Sequence, residues 1–172
     1  VYWCHDCETA LAEAEIEYEN DACDSIFVKF AVEDDKGLLT DKANTYFVIW
    51  TTTTWTLPGN LAICLNSDYE YSVVSVGEEK YILATELVKS VMETAGIADY
   101  STVQKLSGAQ MEHMTAKHPF LPRLSHVILG DHVTLEAGTG CVHTAPGHGV
   151  DDFLVCQKYP EVGMVVPVDD KG

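Results

Sequence analysis

Residues 44–53 read NTYFVIWTTT, an uncharged run dominated by aromatic and β-branched side chains, which predicts a strand. Upstream, SIFVKFAV at 25–32 alternates in the same way. The acidic, glycine-containing DDKGLLTDK between the two runs reads as a loop or hairpin end. Further short strands are expected over 61–65, 69–76, 80–84, 126–129, 132–136, 140–144 and 164–168. Many short strands separated by turn residues favour a closed or nearly closed β-barrel over a doubly wound parallel sheet.

Two helices complete the reading. One covers about 85–95, with Thr85 as N-cap, Leu87, Val88, Val91 and Met92 on one face, and Gly96 as its stop. The other begins near Asp151 and runs to Pro160, placing Asp151 and Asp152 where the helix dipole favours carboxylates. The expected class is therefore α+β and mainly β, with a barrel core and a few peripheral helices. A chain of 172 residues with 47% apolar and 22% charged side chains suits one compact domain, spanning 1–172.

Charge narrows the function classes. The net charge is −17, from 27 acidic and 10 basic residues, a field that repels a polyanion and argues against independent tight nucleic-acid binding. No apolar stretch approaches the roughly 20 residues a membrane span needs. The opening VYWCHDC has neither a basic leader nor a starting Met and reads as a cut inside a longer polypeptide. Of the six cysteines, Cys4 and Cys7 form one CxxC. Cys23, Cys64, Cys141 and Cys156 lie singly and read as small core residues of a reduced, cytoplasmic protein.

Two segments carry chemistry. TTTTWTLPGN at 51–60 has five threonines in six residues beside a Pro-Gly turn. Threonine could serve β-propensity alone, or its hydroxyls could ring a small polar substrate and position a water. GTGCVHTAPGHGVDDF at 138–153 combines five glycines or prolines with two His and two Asp. Glycine permits close backbone approach to a ligand, and a following helix offers amide donors. His143, His148, Asp151 and Asp152 match no helical zinc spacing, so a metal site is not expected there. Of two adjacent aspartates, one can cap the helix while the other faces a ligand. The Cys4–Cys7 pair lacks the two further ligands of a zinc ribbon and the βαβ context of a redox motif.

Together, the TTTxWTLPxN and GTGxVHTAPxHGxDD elements resemble the editing (CP1) domain of isoleucyl-tRNA synthetases. The opening VYWCHDCETALAEAEIEY is similar to the lead-in from the parent enzyme, over residues 1–20. Valyl and leucyl relatives carry Thr-Thr-Arg-Pro in the first element, whereas Trp55, Thr56, Leu57 and Pro58 stand here. Two departures, Thr54 for a common proline and Gly59 for a common alanine, bear on the stiffness of the threonine loop.

The resemblance implies a hydrolase that removes valine from the tRNA for isoleucine. One methylene is worth only about 1–3 kcal/mol of discrimination, a limit for which isoleucyl enzymes are the standing example, so a second pocket hydrolyses what fits. It implies that Asp152 holds the α-ammonium and that His143 limits the side-chain pocket. Thr51, Thr52 and Thr53 would bind the terminal ribose or the attacking water, with Trp55 and Asn60 shaping or holding the loop. No Ser-His-Asp triad or activated Cys is apparent, which favours attack by a positioned water, helped by a hydroxyl of the terminal adenosine. No cofactor is implied within the domain, and zinc at Cys4 and Cys7 only with ligands from the parent enzyme. The implied partners are the 3′ end of tRNA(Ile) carrying valine and the remainder of the synthetase in cis, with no membrane and a monomeric state. Two rivals stand beside this: a non-catalytic module binding the aminoacylated 3′ end, and a free-standing trans-editing deacylase.

Overall fold

The computed structural model describes residues 2–20 and 22–172, so Val1, at the head of the expected lead-in, lies outside the described residues. A small hairpin comes first, β1 (Tyr2–Cys4) with β2 (Thr9–Leu11), antiparallel. The larger part follows as β3 (Ile26–Asp34), β4 (Thr45–Thr51), β5 (Ala62–Leu65), β6 (Glu70–Val76), β7 (Glu79–Ala84), α1 (Val88–Thr94) and β8 (Ser101–Ser107). Then come α2 (Gly108–Met111), β9 (Thr115–Lys117), β10 (Leu124–Leu129), β11 (Val142–Thr144) and α3 (Val150–Cys156). A 3-10 segment, Thr54–Gly59, joins β4 to β5.

The strands from β3 onward make one nine-stranded sheet in the order β11-β5-β10-β9-β3-β4-β7-β6-β8. β4 with β7 and β5 with β10 are parallel, and the other pairs antiparallel. The expected hairpin is present, with Ile26 opposite Thr51 and Ala31 opposite Tyr46. Beyond residue 31, β3 leaves β4 for β9, with a register shift between Val32 and Asp34. A shift of this kind bends the strand. The sheet curls until β11 lies against β4, yet no ladder joins them, and β11 and β8 remain its edges among the described residues. The mainly β, α+β class therefore stands, and in place of the expected closed or nearly closed barrel there is a curled mixed sheet with no closing ladder among the described residues. β11 has three residues and gives one edge to β5, while its His143 is bonded to the 3-10 segment after β4.

The larger core lies inside the curl and includes Phe30, Phe47, Ile49, Tyr71, Ile82, Leu83, Met111 and Met114, covered by α1. Leu87, Val88, Val91 and Met92 are buried as their spacing predicts, and Gly96 ends the helix at φ +68°. Thr85 is not the cap: a 3-10 turn over Thr85–Leu87 precedes α1, and the Thr85 hydroxyl is bonded to that of Ser72 at 2.9 Å. A second cluster lies under α3, with Leu61, Ala62, Cys64, Ile128, Val155, Cys156 and Tyr159. The buried Tyr71 hydroxyl donates to the Gly140 carbonyl (2.8 Å) and accepts the Asn66 N–H (2.9 Å), tying β6 to the approach to β11.

Residues 132–136 and 164–168 form turns and extended chain instead of strands, because alternation alone supplies no pairing partner. The six cysteines are free. Cys64, Cys141 and Cys156 are buried, but Cys23 is exposed ahead of β3, a correction to its expected core place.

Candidate functional site

Where β4 ends, the chain tightens on itself. The Thr51 hydroxyl accepts the N–H of Thr53 (3.1 Å) and shares a hydrogen bond with its hydroxyl (3.2 Å), a local turn that threonine side chains favour. The Thr53 carbonyl then accepts the Thr56 hydroxyl at 2.8 Å. From behind, His118 Nε2 donates to the Leu57 carbonyl (2.9 Å), and its Nδ1 accepts the Leu121 N–H (3.1 Å). The Arg123 guanidinium donates to the Pro58 carbonyl. Tertiary contacts thus stiffen the loop in which Thr54 and Gly59 stand. A Cβ at Gly59 would lie 2.5 Å from the His148 ring, so glycine lets that ring approach the loop.

Facing this loop, pairing of His143 with Ile63 sets β11 beside β5, and the glycine-rich turn after it leads into α3. Gly149 is the N-cap, and Asp151 and Asp152 occupy the first turn. The Asp152 carboxylate bends back to accept the Ala145 N–H at 2.8 Å. Burial is the main influence on this carboxyl and raises it above the usual 3.8, partly countered by the Ala145 bond and by His132 and His148. Among the described residues it has no salt-bridge partner. An acid held in this way suits a cationic ligand group.

Between loop and helix lies a cleft of about 400 Å³. Thr51, Thr52, Thr53, Trp55, His143 and Asp152 all line it, although Asp152 lies about a hundred residues from the threonines. Trp55, 66% exposed, stands at the rim. Asn60 does not line the cleft. It is fully buried and reaches it through His143, whose Nδ1 is 2.7 Å from the Asn60 amide nitrogen. His143 Nε2 lies 2.9 Å from the Thr56 hydroxyl. Burial, then His118 and His148, pushes His143 down to about 4, so the ring is neutral at pH 7.

Trp50, Thr56, Val142 and His148 also line the cleft, and the threonine and glycine motifs had not singled out the first three for it. His148 Nε2 is enclosed without a protein partner. Burial raises Cys64 to about 12 and Cys156 to about 11, which leaves these thiols protonated and poor nucleophiles. Cys4 and Cys7 sit away from the cleft at the β1–β2 turn, where the Cys7 N–H reaches the Cys4 sulfur at 3.4 Å. Among the described residues no three His, Cys, Asp or Glu side chains gather as a metal set, and no helix is long and apolar enough to cross a membrane.

No family model matches the chain. Its whole length aligns with isoleucine–tRNA ligases: 59% identical over 176 residues in Caldicellulosiruptor bescii and 60% in Caldicellulosiruptor saccharolyticus, in each case 19% of the relative. The Moorella thermoacetica ligase is 51% identical, with 18% of its length covered. The chain thus spans about a fifth of the curated relatives it matches. Among solved structures, the P. knowlesi cytosolic leucyl-tRNA synthetase editing domain superposes with TM-score 0.64 at 14% identity, covering 87% of this chain and 67% of that one. The P. falciparum counterpart gives 0.60 at 11%, covering 73% and 52%. The chain thus aligns end to end with one stretch of isoleucine–tRNA ligases, and its fold is that of the solved leucyl-tRNA synthetase editing domains.

Proposed function

We propose that the cleft hydrolyses the ester of valyl-tRNA(Ile). The observation that carries this reading is a carboxylate with no salt-bridge partner among the described residues, Asp152, lining one cleft with Thr51, Thr52 and Thr53. In this reading Asp152 receives the α-ammonium, which every amino acid carries, and so anchors without measuring size. His143, neutral and held on both ring nitrogens, forms a wall of the side-chain pocket and excludes isoleucine by shape. The threonine hydroxyls and the backbone of the loop hold the terminal ribose and a water, placing the water for attack on the ester carbonyl. Its proton passes to the leaving ribose oxygen as the ester bond breaks, with an adenosine hydroxyl assisting. Burial keeps the nearby thiols protonated, which supports water over a cysteine nucleophile.

The substrate is the 3′ end of tRNA(Ile), and the rest of the ligase holds the tRNA body. Cys4 and Cys7 supply half of a tetrahedral zinc set, which residues elsewhere in the parent enzyme would complete. The test is deacylation of valyl-tRNA(Ile) and isoleucyl-tRNA(Ile) by the purified chain, with Asp152→Ala alongside. Valine release well above the spontaneous rate, lost in Asp152→Ala, is expected. Binding without release would favour the non-catalytic module.

A further inference from the structure

The bonds behind the cleft form a directed chain whose far end lies on another strand. Ser125 of β10 is fully buried, and its hydroxyl donates to Asn60 Oδ1 at 2.5 Å. The Asn60 amide nitrogen donates to the Ala62 carbonyl (2.9 Å), an acceptor only, and this fixes which end of the amide is nitrogen. Its second hydrogen points at His143 Nδ1, 2.7 Å away, which must therefore be the unprotonated ring nitrogen. A neutral ring then carries its proton on Nε2 and donates it to the Thr56 hydroxyl (2.9 Å), whose own hydrogen goes to the Thr53 carbonyl (2.8 Å). Every donor in the series has one acceptor, and none is left over.

We infer that Ser125 and Asn60 are positioning residues for the cleft: together they hold His143 in the Nε2–H tautomer, and through Thr56 that proton fixes the Thr53 carbonyl and the threonine loop. This deepens the deacylase reading and rests on it for the kinetic part alone. His143 offers no free lone pair at Nε2, so it shapes the pocket and does not accept a proton from the attacking water. The other titratable rings facing it, His118 and His148, lie on different segments, and His118 is committed to the Leu57 carbonyl.

Long-range proton–nitrogen spectra of the histidine-labelled chain test the inference without any turnover. His143 is expected to show an unprotonated Nδ1 and a protonated Nε2 from pH 8 to pH 5. Asn60→Asp, which presents an acceptor in place of the donor, is expected to move the proton to Nδ1. Ser125→Ala should blur the tautomer signature and lower kcat on valyl-tRNA(Ile) about tenfold with KM unchanged, from loss of one buried hydrogen bond. Ser125→Thr should restore both. A protonated Nδ1 in the unaltered chain overturns the inference, as does a Ser125→Ala spectrum identical to the unaltered one. Should Ser125→Ala fail to fold, the unaltered chain and Asn60→Asp decide it. Absence of turnover in every form would instead sink the deacylase reading and leave the tautomer result standing.

Discussion

Asp152 and His143 are both withdrawn from water, and burial acts on their stability contributions in opposite senses. For His143 the folded value is about 4 against an ordinary 6.5. As pH falls through that window the unfolded chain takes up a proton that the folded chain refuses, so stability drops, by up to on the order of 3 kcal/mol at the lower end. His118, lowered mainly by its own burial, adds to the loss in the same direction. Urea unfolding between pH 7 and pH 4 should show this slope, flattened in His143→Ala. On isoleucyl-tRNA(Ile), His143→Ala should release isoleucine that the unaltered chain leaves in place; intact isoleucyl-tRNA beside cleaved valyl-tRNA would remove His143 from size selection. Asp152 is raised, so just above 3.8 the folded chain retains a proton the unfolded one has lost, and stability falls as pH rises there. At neutral pH its ionised form weakens the fold, and Asp152→Asn should raise Tm at pH 7 while losing valine release. Asp152, His143 and the threonines were legible in two short motifs because each motif is contiguous. Thr56 as a partner of His143, Ser125 and His118 were not, since only the folded sheet brings them together.

Elements were legible where burial imposes a pattern. β4 and α1 announce themselves because their apolar residues meet the core at strand and helix spacing. β8, STVQKLS, is an edge strand with mostly exposed side chains, and carries no such signal. The run at 132–136 carries the signal without a partner strand, and its Val133 is buried in a turn whose carbonyl accepts the Asn66 amide at 3.2 Å. The placing of β11 depends on Gly140, at φ +74° with its missing Cβ only 2.5 Å from that of Ala84. Gly140→Ala meets backbone strain and overpacking together and should cost about 2–4 kcal/mol. Chemical denaturation would measure it, and valine release should fall with it as β11 shifts.

At the scale of the whole molecule, charge and topology govern what the cleft can reach. With a net charge of −17 the chain repels the tRNA it is proposed to serve. Raising salt from about 20 to about 200 mM shortens the screening distance to under 10 Å, and KM for valyl-tRNA(Ile) should fall as it rises. A KM that climbs with salt would place a cationic docking surface on this chain instead. Of the expected closed or nearly closed barrel, the curl is found and a closing ladder is not, because strand count does not specify closure. That β11 joins β5, with 76 residues between Leu65 and Val142 in part spent on β6 to β10, has a kinetic meaning. The two loops of the cleft cannot meet until a long intervening chain has collapsed, and such distant pairings form slowly. In pulse-labelling hydrogen exchange the amides of β11 should therefore gain protection after those of the local β3–β4 and β6–β7 hairpins, so that the chemistry of the chain arrives late in its folding.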